Sequence, residues 1–247
     1  MVIKFKNIVV SSTGTNAVQM ISKLFELGFC PEQISVLTYD YDKTTLLNFC
    51  KKYQISVHTI NGPEQLEHFV KNNQISLLLN LGGMPYLIPK KILETVQTPL
   101  INLHTGIIQQ NRGRWVVSWN IINNDTHCGY TWHHINDKFD SGNIILQKKF
   151  EIRSNDTAFN LNHLLINHAI SNLDKVIENA NNPGIPPDAL GTYYDKNIPF
   201  DGVIQDNWTD QQVDRFIRAL FYPSKTGAIY KGQEIFSLQQ YLDLKFK

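Results

Sequence analysis

Between residues 8 and 80, short apolar runs alternate with helical patterns, and few architectures accommodate that alternation. The runs are Ile8-Val9-Val10, Ile34-Ser35-Val36-Leu37, Ser56-Val57-His58-Thr59 and Ile75 to Asn80. After the first of them, Ala17, Met20, Ile21, Leu24, Phe25 and Leu27 recur at helical spacing and stop at Gly28, which predicts an amphipathic helix with a glycine stop. Thr44 to Tyr53 and Pro63 to Lys71 read as two further helices. The run Ile75 to Asn80 is nearly all apolar and ends at Gly82-Gly83, so it needs cover on both faces. Strands alternating with helices of this length predict βαβ units and an α/β fold with an open, mostly parallel sheet.

The pattern changes in the middle of the chain. Leu100 to His104 reads as a short strand, followed by a polar loop holding Arg112, Gly113 and Arg114 and a helix over Val116 to Ile122. Cys128 to Ile135 alternates like a strand, and Asn143 to Ile152 reads as its hairpin partner. Asp156 is expected to cap one helix running from Thr157 to about Ala180. The run Asn181-Asn182-Pro183-Gly184-Ile185-Pro186-Pro187 reads as a linker. It divides the chain into a catalytic domain, 1–182, and a small C-terminal extension, 183–247. The extension is expected to hold a helix near Asp210 to Leu220 and a β-hairpin over Gly227 to Leu238, turning at Lys231-Gly232. Ile229, Tyr230, Ile235, Phe236, Leu238 and Tyr241 make that hairpin too apolar to stand free in water, so it should pack on the core or on a second copy.

Composition removes several function classes. With 23 Lys plus Arg against 22 Asp plus Glu, the chain has no general attraction for nucleic acid or an anionic membrane. Its three cysteines, Cys30, Cys50 and Cys128, form no CxxC pair and no closed disulfide set, which suits reduced thiols in the cytoplasm. No segment is long and apolar enough to span a bilayer, and residues 1–7 lack the apolar core of a signal peptide. His127, Cys128, His133 and His134 lie close in sequence. On a strand, however, His133 and His134 point to opposite faces, so no metal site is expected. The loop Ser11 to Thr15 carries a single glycine, which is thin support for a dinucleotide fingerprint.

Candidate chemistry gathers at the end of the predicted strand Leu100 to His104. Strand alternation puts Asn102 and His104 on one face and Leu103 on the other. In an open parallel sheet, ligands collect outside the carboxyl ends of the strands. An amide and an imidazole there offer two hydrogen-bond donors to one oxygen, as the tetrahedral intermediate of acyl transfer needs. His104 is also suited to accept a proton from an attacking amine. Asp140, in Lys138-Phe139-Asp140-Ser141-Gly142, is placed to orient His104, with Gly142 expected to let the backbone turn sharply. Spacing by itself does not separate this set from three unrelated polar residues.

Four ordered segments separate them. Leu77 to Leu93, containing Gly82-Gly83-Met84-Pro85-Tyr86-Leu87-Ile88-Pro89, resembles the folate-binding segment of the formyltransferase family. Ile101-Asn102-Leu103-His104-Thr105-Gly106, followed by Asn111-Arg112-Gly113-Arg114, resembles its Asn-x-His segment and Arg-Gly loop. Gly129 to His133 and Phe139-Asp140-Ser141-Gly142-Asn143-Ile144-Ile145 are similar to the strand and Asp-x-Gly loop that complete the family's site. The resemblance covers about half the chain, Leu77 to roughly Leu165. It implies a Rossmann-like formyltransferase fold and a catalytic set of Asn102, His104 and Asp140. It also implies N10-formyltetrahydrofolate as co-substrate, lying against Gly82, Met84, Pro85, Tyr86 and Leu87, and no metal.

On the acceptor side the chain departs from many relatives, with His104-Thr105-Gly106-Ile107-Ile108-Gln109 and Trp115-Val116-Val117 in place of the more usual residues. Asp214 to Tyr230 nevertheless resembles a stretch of the sugar N-formyltransferase branch. That branch implies a nucleotide-linked amino sugar as acceptor, with dTDP-4-amino-4,6-dideoxyglucose the leading candidate. It also implies a cytoplasmic homodimer serving surface polysaccharide (O-antigen) synthesis. Arg112 and Lys225 are candidates for pyrophosphate contact, and Trp115 and Tyr222 for stacking on a base or sugar. A surface lysine and core aromatics explain the same residues without a ligand. Glycinamide ribonucleotide or another small amine is the alternative acceptor. A degenerate fold that only binds folate or nucleotide sugar is the non-enzymatic alternative.

Overall fold

A computed structural model describes residues 5–38, 44–84, 86–223 and 227–247. Pro85 and Lys225, both singled out above, lie outside the described residues. In chain order the strands are β1 (Ile8–Ser12), β2 (Ile34–Thr38), β3 (Ser56–Thr59), β4 (Leu77–Leu81), β5 (Leu100–His104), β6 (Asn111–Gly113), β7 (His127–His134), β8 (Ile144–Glu151), β9 (Thr192–Tyr194), β10 (Ala228–Tyr230) and β11 (Gln233–Ile235). The α-helices are α1 (Gly14–Glu26), α2 (Thr44–Tyr53), α3 (Pro63–Asn72), α4 (Lys90–Thr95), α5 (Val116–Ile122), α6 (Ala158–Ser171), α7 (Leu173–Glu178), α8 (Asp210–Leu220) and α9 (Leu238–Lys245).

Seven strands form one sheet in the order β3-β2-β1-β4-β5-β7-β8. The first five run parallel, and β7 pairs antiparallel to β5. The α/β reading of the sequence is therefore what the chain adopts. The order steps outward from β1 through β2 to β3, then returns to the other side of β1 with β4. That reversal is a topological switch point, the kind of place at which open α/β sheets gather their ligands.

The chain divides into two compact units built from interleaved segments. The first comprises Met1–His104, Thr131–Gln147 and His168–Asp188, and the second Thr105–Tyr130, Lys148–Asn167 and Ala189–Lys247. In the first unit β1 and β4 are buried along their whole lengths. Helix α1 buries Ala17, Met20, Ile21 and Leu24, the stripe that its sequence spacing predicts. One apolar cluster joins Val9, Leu78 and Leu100 of the sheet to Leu66, Phe69 and Val70 of α3, with Met84 and Tyr86 packed against it.

The second unit has its own apolar cluster. Val213, Phe216, Ile217 and Leu220 of α8 meet Ala228, Tyr230, Ile235 and Tyr241. Thr209 starts α8 with a capping box, its hydroxyl accepting from the Gln212 N–H, and the Ser118 hydroxyl of α5 donates to the Ala219 carbonyl at 2.6 Å. The β10–β11 hairpin turns at Lys231 and Gly232, both left-handed. Leu238 and Tyr241 do not belong to it, contrary to expectation. They sit on α9, which starts at the Ser237 cap, and Tyr241 is fully buried in the cluster.

Three further expectations change. The long helix from Thr157 is two helices, because the Asn172 side chain donates back to the His168 carbonyl at 2.8 Å and competes with the helix ladder. Its N-terminus is capped by the Thr157 hydroxyl, which accepts from the Asn160 N–H, and not by Asp156, whose carboxylate accepts from the Arg153 N–H. The polar loop around Arg112 is a strand: β6 pairs parallel to β9. Gly113 makes that pairing possible, since it is left-handed and a β-carbon there would overlap the Tyr194 carbonyl. Cys50 and Cys128 are buried thiols pushed up to about 11 by desolvation, and Cys30 is exposed.

Candidate active site

The candidate site lies wholly within the first unit, on one face of the sheet near the switch point. The β5–β7 register places His133 opposite Asn102, and the β4–β5 register places Asn80 opposite Asn102 on the other side. Residues directly opposite one another project from the same face, so the three side chains form one polar row. His104 follows two residues after Asn102 on that face. The loop after β7 then carries Asp140 back over the row.

Asp140 is where the contacts converge. Its Oδ1 accepts from Asn102 Nδ2 at 3.1 Å, and its Oδ2 lies 3.4 Å from His104 Nδ1. His133 Nε2 lies 3.5 Å from Oδ1 and 3.1 Å from Asn102 Nδ2. His133 Nδ1 lies 2.8 Å from the His134 carbonyl. A carbonyl only accepts, so Nδ1 carries the proton and the neutral ring turns an acceptor toward Asn102. His104 and His133 are almost completely buried, and Asp140 is 12% exposed. The structure thus brings together Asn102, His104 and Asp140, three residues spread over 39 positions from Asn102 to Asp140.

The local backbone explains how Asp140 reaches the row. Asp140 itself is left-handed, with φ of 45°. Gly142 is not, so the sharp turn expected of it falls two residues earlier. Gly142 serves close approach instead, because a β-carbon there would overlap the His134 carbonyl oxygen. Ser141 ties the loop by donating to Asn136 Oδ1 at 2.9 Å.

The loop after β4 borders the same row. Gly82 is left-handed at φ 67° and exposed, and Met84 and Tyr86 are half-buried against the first unit's core. Leu87 is 40% exposed. The other candidates belong to the second unit. Arg112 Nε donates to the Gly191 carbonyl at 3.1 Å, and its guanidinium lies over Tyr193. Trp115 is left-handed and donates its indole N–H to the Lys196 carbonyl. Tyr222 meets Phe159 edge-on, and burial pushes its phenol up to about 12. His134 turns away from His133, as alternation requires, and donates to the Asn182 carbonyl. Among the described residues, no group of three or more His, Cys, Asp or Glu side chains could hold a metal ion.

Two members of the row escaped the sequence reading. Asn80 is the one polar residue in the buried run Leu77-Leu78-Leu79-Asn80-Leu81, and a lone amide in such a strand is itself a signal. His133 ends the strand segment that carries the resemblance, with no contact assigned to it there, and its place beside Asn102 emerges from the antiparallel register.

The sequence profile of the family described as formyl transferase matches residues 6–177. The chain belongs to the formyl transferase family. This formyl transferase is 30% identical over 231 residues to the GDP-perosamine N-formyltransferase of Brucella melitensis, covering 91% of this chain and 88% of that one. Among solved structures it is similar to the N-formyltransferase from Helicobacter canadensis, in complex with folinic acid and dTDP-3-aminofucose. There the TM-score is 0.78 at 22% identity over 93% of this chain and 86% of that one. It is also similar to a 4-N formyltransferase from Francisella tularensis, with TM-score 0.74, 19% identity and coverage of 93% and 95%.

Proposed function

We propose that this formyl transferase moves a formyl group from N10-formyltetrahydrofolate to the amine of a nucleotide-linked amino sugar. The observation that carries the reading is the convergence of Asn102, His104 and Asp140 on one face at the carboxyl end of β5. The names of the relatives, GDP-perosamine and dTDP-3-aminofucose among them, support the acceptor class.

In this reading the folate lies against the loop after β4, at Gly82, Met84, Pro85, Tyr86 and Leu87. The amine nitrogen attacks the formyl carbon, and the carbonyl electron pair moves onto oxygen. Asn102 Nδ2 has two hydrogens, of which one is held by Asp140. The formyl oxygen replaces His133 as acceptor of the other, and the charge that develops on it is stabilised there. His104, held by Asp140, takes up the proton leaving the amine. The electron pair on the oxygen then re-forms the carbonyl as the C–N bond to the folate nitrogen breaks, and that nitrogen takes the proton back from His104 as tetrahydrofolate leaves.

The finer acceptor assignment is dTDP-4-amino-4,6-dideoxyglucose, for surface polysaccharide synthesis, with Arg112 and Lys225 at the pyrophosphate and Trp115 and Tyr222 at the base or sugar. The test is a formylation panel of dTDP- and GDP-linked amino sugars with the amine at position 3 or 4, glycinamide ribonucleotide and charged initiator tRNA. Formylation of a nucleotide sugar is expected, and His104→Ala should lower its turnover at least about a hundredfold with folding unchanged. Formylation of only the tRNA or the glycinamide compound would overturn the acceptor. A folded His104→Ala enzyme at wild-type rate would overturn the catalytic assignment.

A further inference from the structure

The polar row extends one strand beyond the candidate catalytic set. The registers align Ser11 of β1 with Asn80 of β4, and Asn80 with Asn102 of β5. Asn80 is 6% exposed, so both ends of its amide must find partners within the fold. The two partners fix its orientation. The Gly83 backbone N–H lies 3.1 Å from Asn80 and can only donate, so the atom facing it is Oδ1. Asn80 Nδ2 therefore points to Asn102 at 2.6 Å, and the Asn102 atom that meets it must be the acceptor Oδ1. Asn102 Nδ2 is left facing Asp140 and His133, both at 3.1 Å.

We infer that Asn80 is a positioning residue for formyl transfer: anchored by the Gly83 N–H, it sets which way round the Asn102 amide sits. The inference rests on the reading of Asn102 as donor to the formyl oxygen. With the amide reversed, Asn102 would turn its carbonyl toward the Asp140 carboxylate and toward the incoming oxygen. An acceptor would then stand where the reaction needs a donor. Gly83 is part of the device, because a β-carbon on it would overlap Ser11 and the Ser12 backbone. Only a glycine lets the loop lie close enough to β1 to bring its N–H to Asn80. The loop assigned to the folate and the amide assigned to the formyl oxygen are thereby joined through one side chain.

The test compares kcat and both KM values for wild type, Asn80→Ala, Asn80→Asp and Asn102→Ala between about pH 6 and pH 9, a span wide enough to titrate a buried carboxyl whose pKa is raised. In Asn80→Asp the introduced carboxyl donates to Asn102 Oδ1 when protonated and only accepts when ionised. Burial and the neighbouring Asp140 carboxylate raise its pKa. The kcat ratio of variant to wild type at each pH cancels the titrations common to both. That ratio should be near one at low pH and fall about a hundredfold or more as pH rises, the scale for losing an oxyanion donor. Asn80→Ala, which leaves Asn102 unanchored, should lose about ten- to a hundredfold in kcat at every pH. Both KM values should stay within about threefold, as for an interaction that matters in the transition state.

Wild-type kcat in Asn80→Ala would overturn the inference. So would a pH-flat ratio in a folded Asn80→Asp enzyme, or a defect confined to KM. If Asn80→Asp does not fold, the Ala variant decides. Asn102→Ala separates the two readings. Impairment there with normal Asn80 variants sinks only the positioning role, whereas wild-type kcat in Asn102→Ala sinks the reading of the site.

Discussion

Asp140 shows how much one residue's backbone decides. Its left-handed conformation turns the carboxylate back over the sheet, and Gly142 lets the loop close against the His134 carbonyl. Non-glycine residues rarely hold such a conformation unless their surroundings enforce it. Gly142→Ala should therefore cost stability by about 1–3 kcal/mol, the usual range for overpacking. It should also lower kcat, because the loop can admit the methyl group only by shifting Asp140. Thermal melts and steady-state rates on the same preparation check both effects. A variant with unchanged melting temperature and unchanged kcat would show that the loop accommodates the methyl without moving the carboxylate.

At the scale of elements, the first unit is held by strands with little choice of partner. Buried parallel strands such as β1 and β4 hide apolar side chains on both faces, so a one-residue slip would move Asn80 off the row it shares with Asn102. The second unit relies more on its helix ends. Helix α8 buries five residues on one face and starts at a capping box in which Thr209 and Gln212 satisfy each other's backbone donors. Thr209→Ala should destabilise the protein by about 1 kcal/mol. Thr209→Ser, which keeps the acceptor oxygen, should recover most of that loss in chemical denaturation. Equal losses in the two variants would place the effect in the methyl group and not in the cap.

For the whole molecule, several large apolar side chains of the second unit stay exposed, among them Phe236 at 57% and Phe246 at 78%. The β10–β11 hairpin covers its inner face with α8 and α9 and leaves Phe236 uncovered. Exposed aromatics of this size suit a surface that pairs with another, and the proposed homodimer would bury them. Light scattering at micromolar concentration should give twice the chain mass, and Phe236→Ser should shift the population toward monomer. A monomer in the wild type would leave the exposed aromatics without that explanation.

The sequence by itself determined the layers. Periodicities of two and of 3.6 residues located β5, α5 and α8 to the residue, because burying an apolar stripe leaves a strand or helix few alternatives. The ordered Asn102, His104 and Asp140 were legible too, though only through resemblance, since three polar residues dozens of positions apart carry no local signature. Tertiary structure alone decided the rest. Pairing registers put Asn80, Asn102 and His133 on one row, and register is set by neighbouring strands distant in sequence. The β6–β9 pairing joined segments about 80 residues apart, through a glycine whose reason is the carbonyl it meets. The orientation of the Asn102 amide follows from the Gly83 N–H two hydrogen bonds away. A sequence records which groups can donate or accept, and only the packed chain fixes which of them meet.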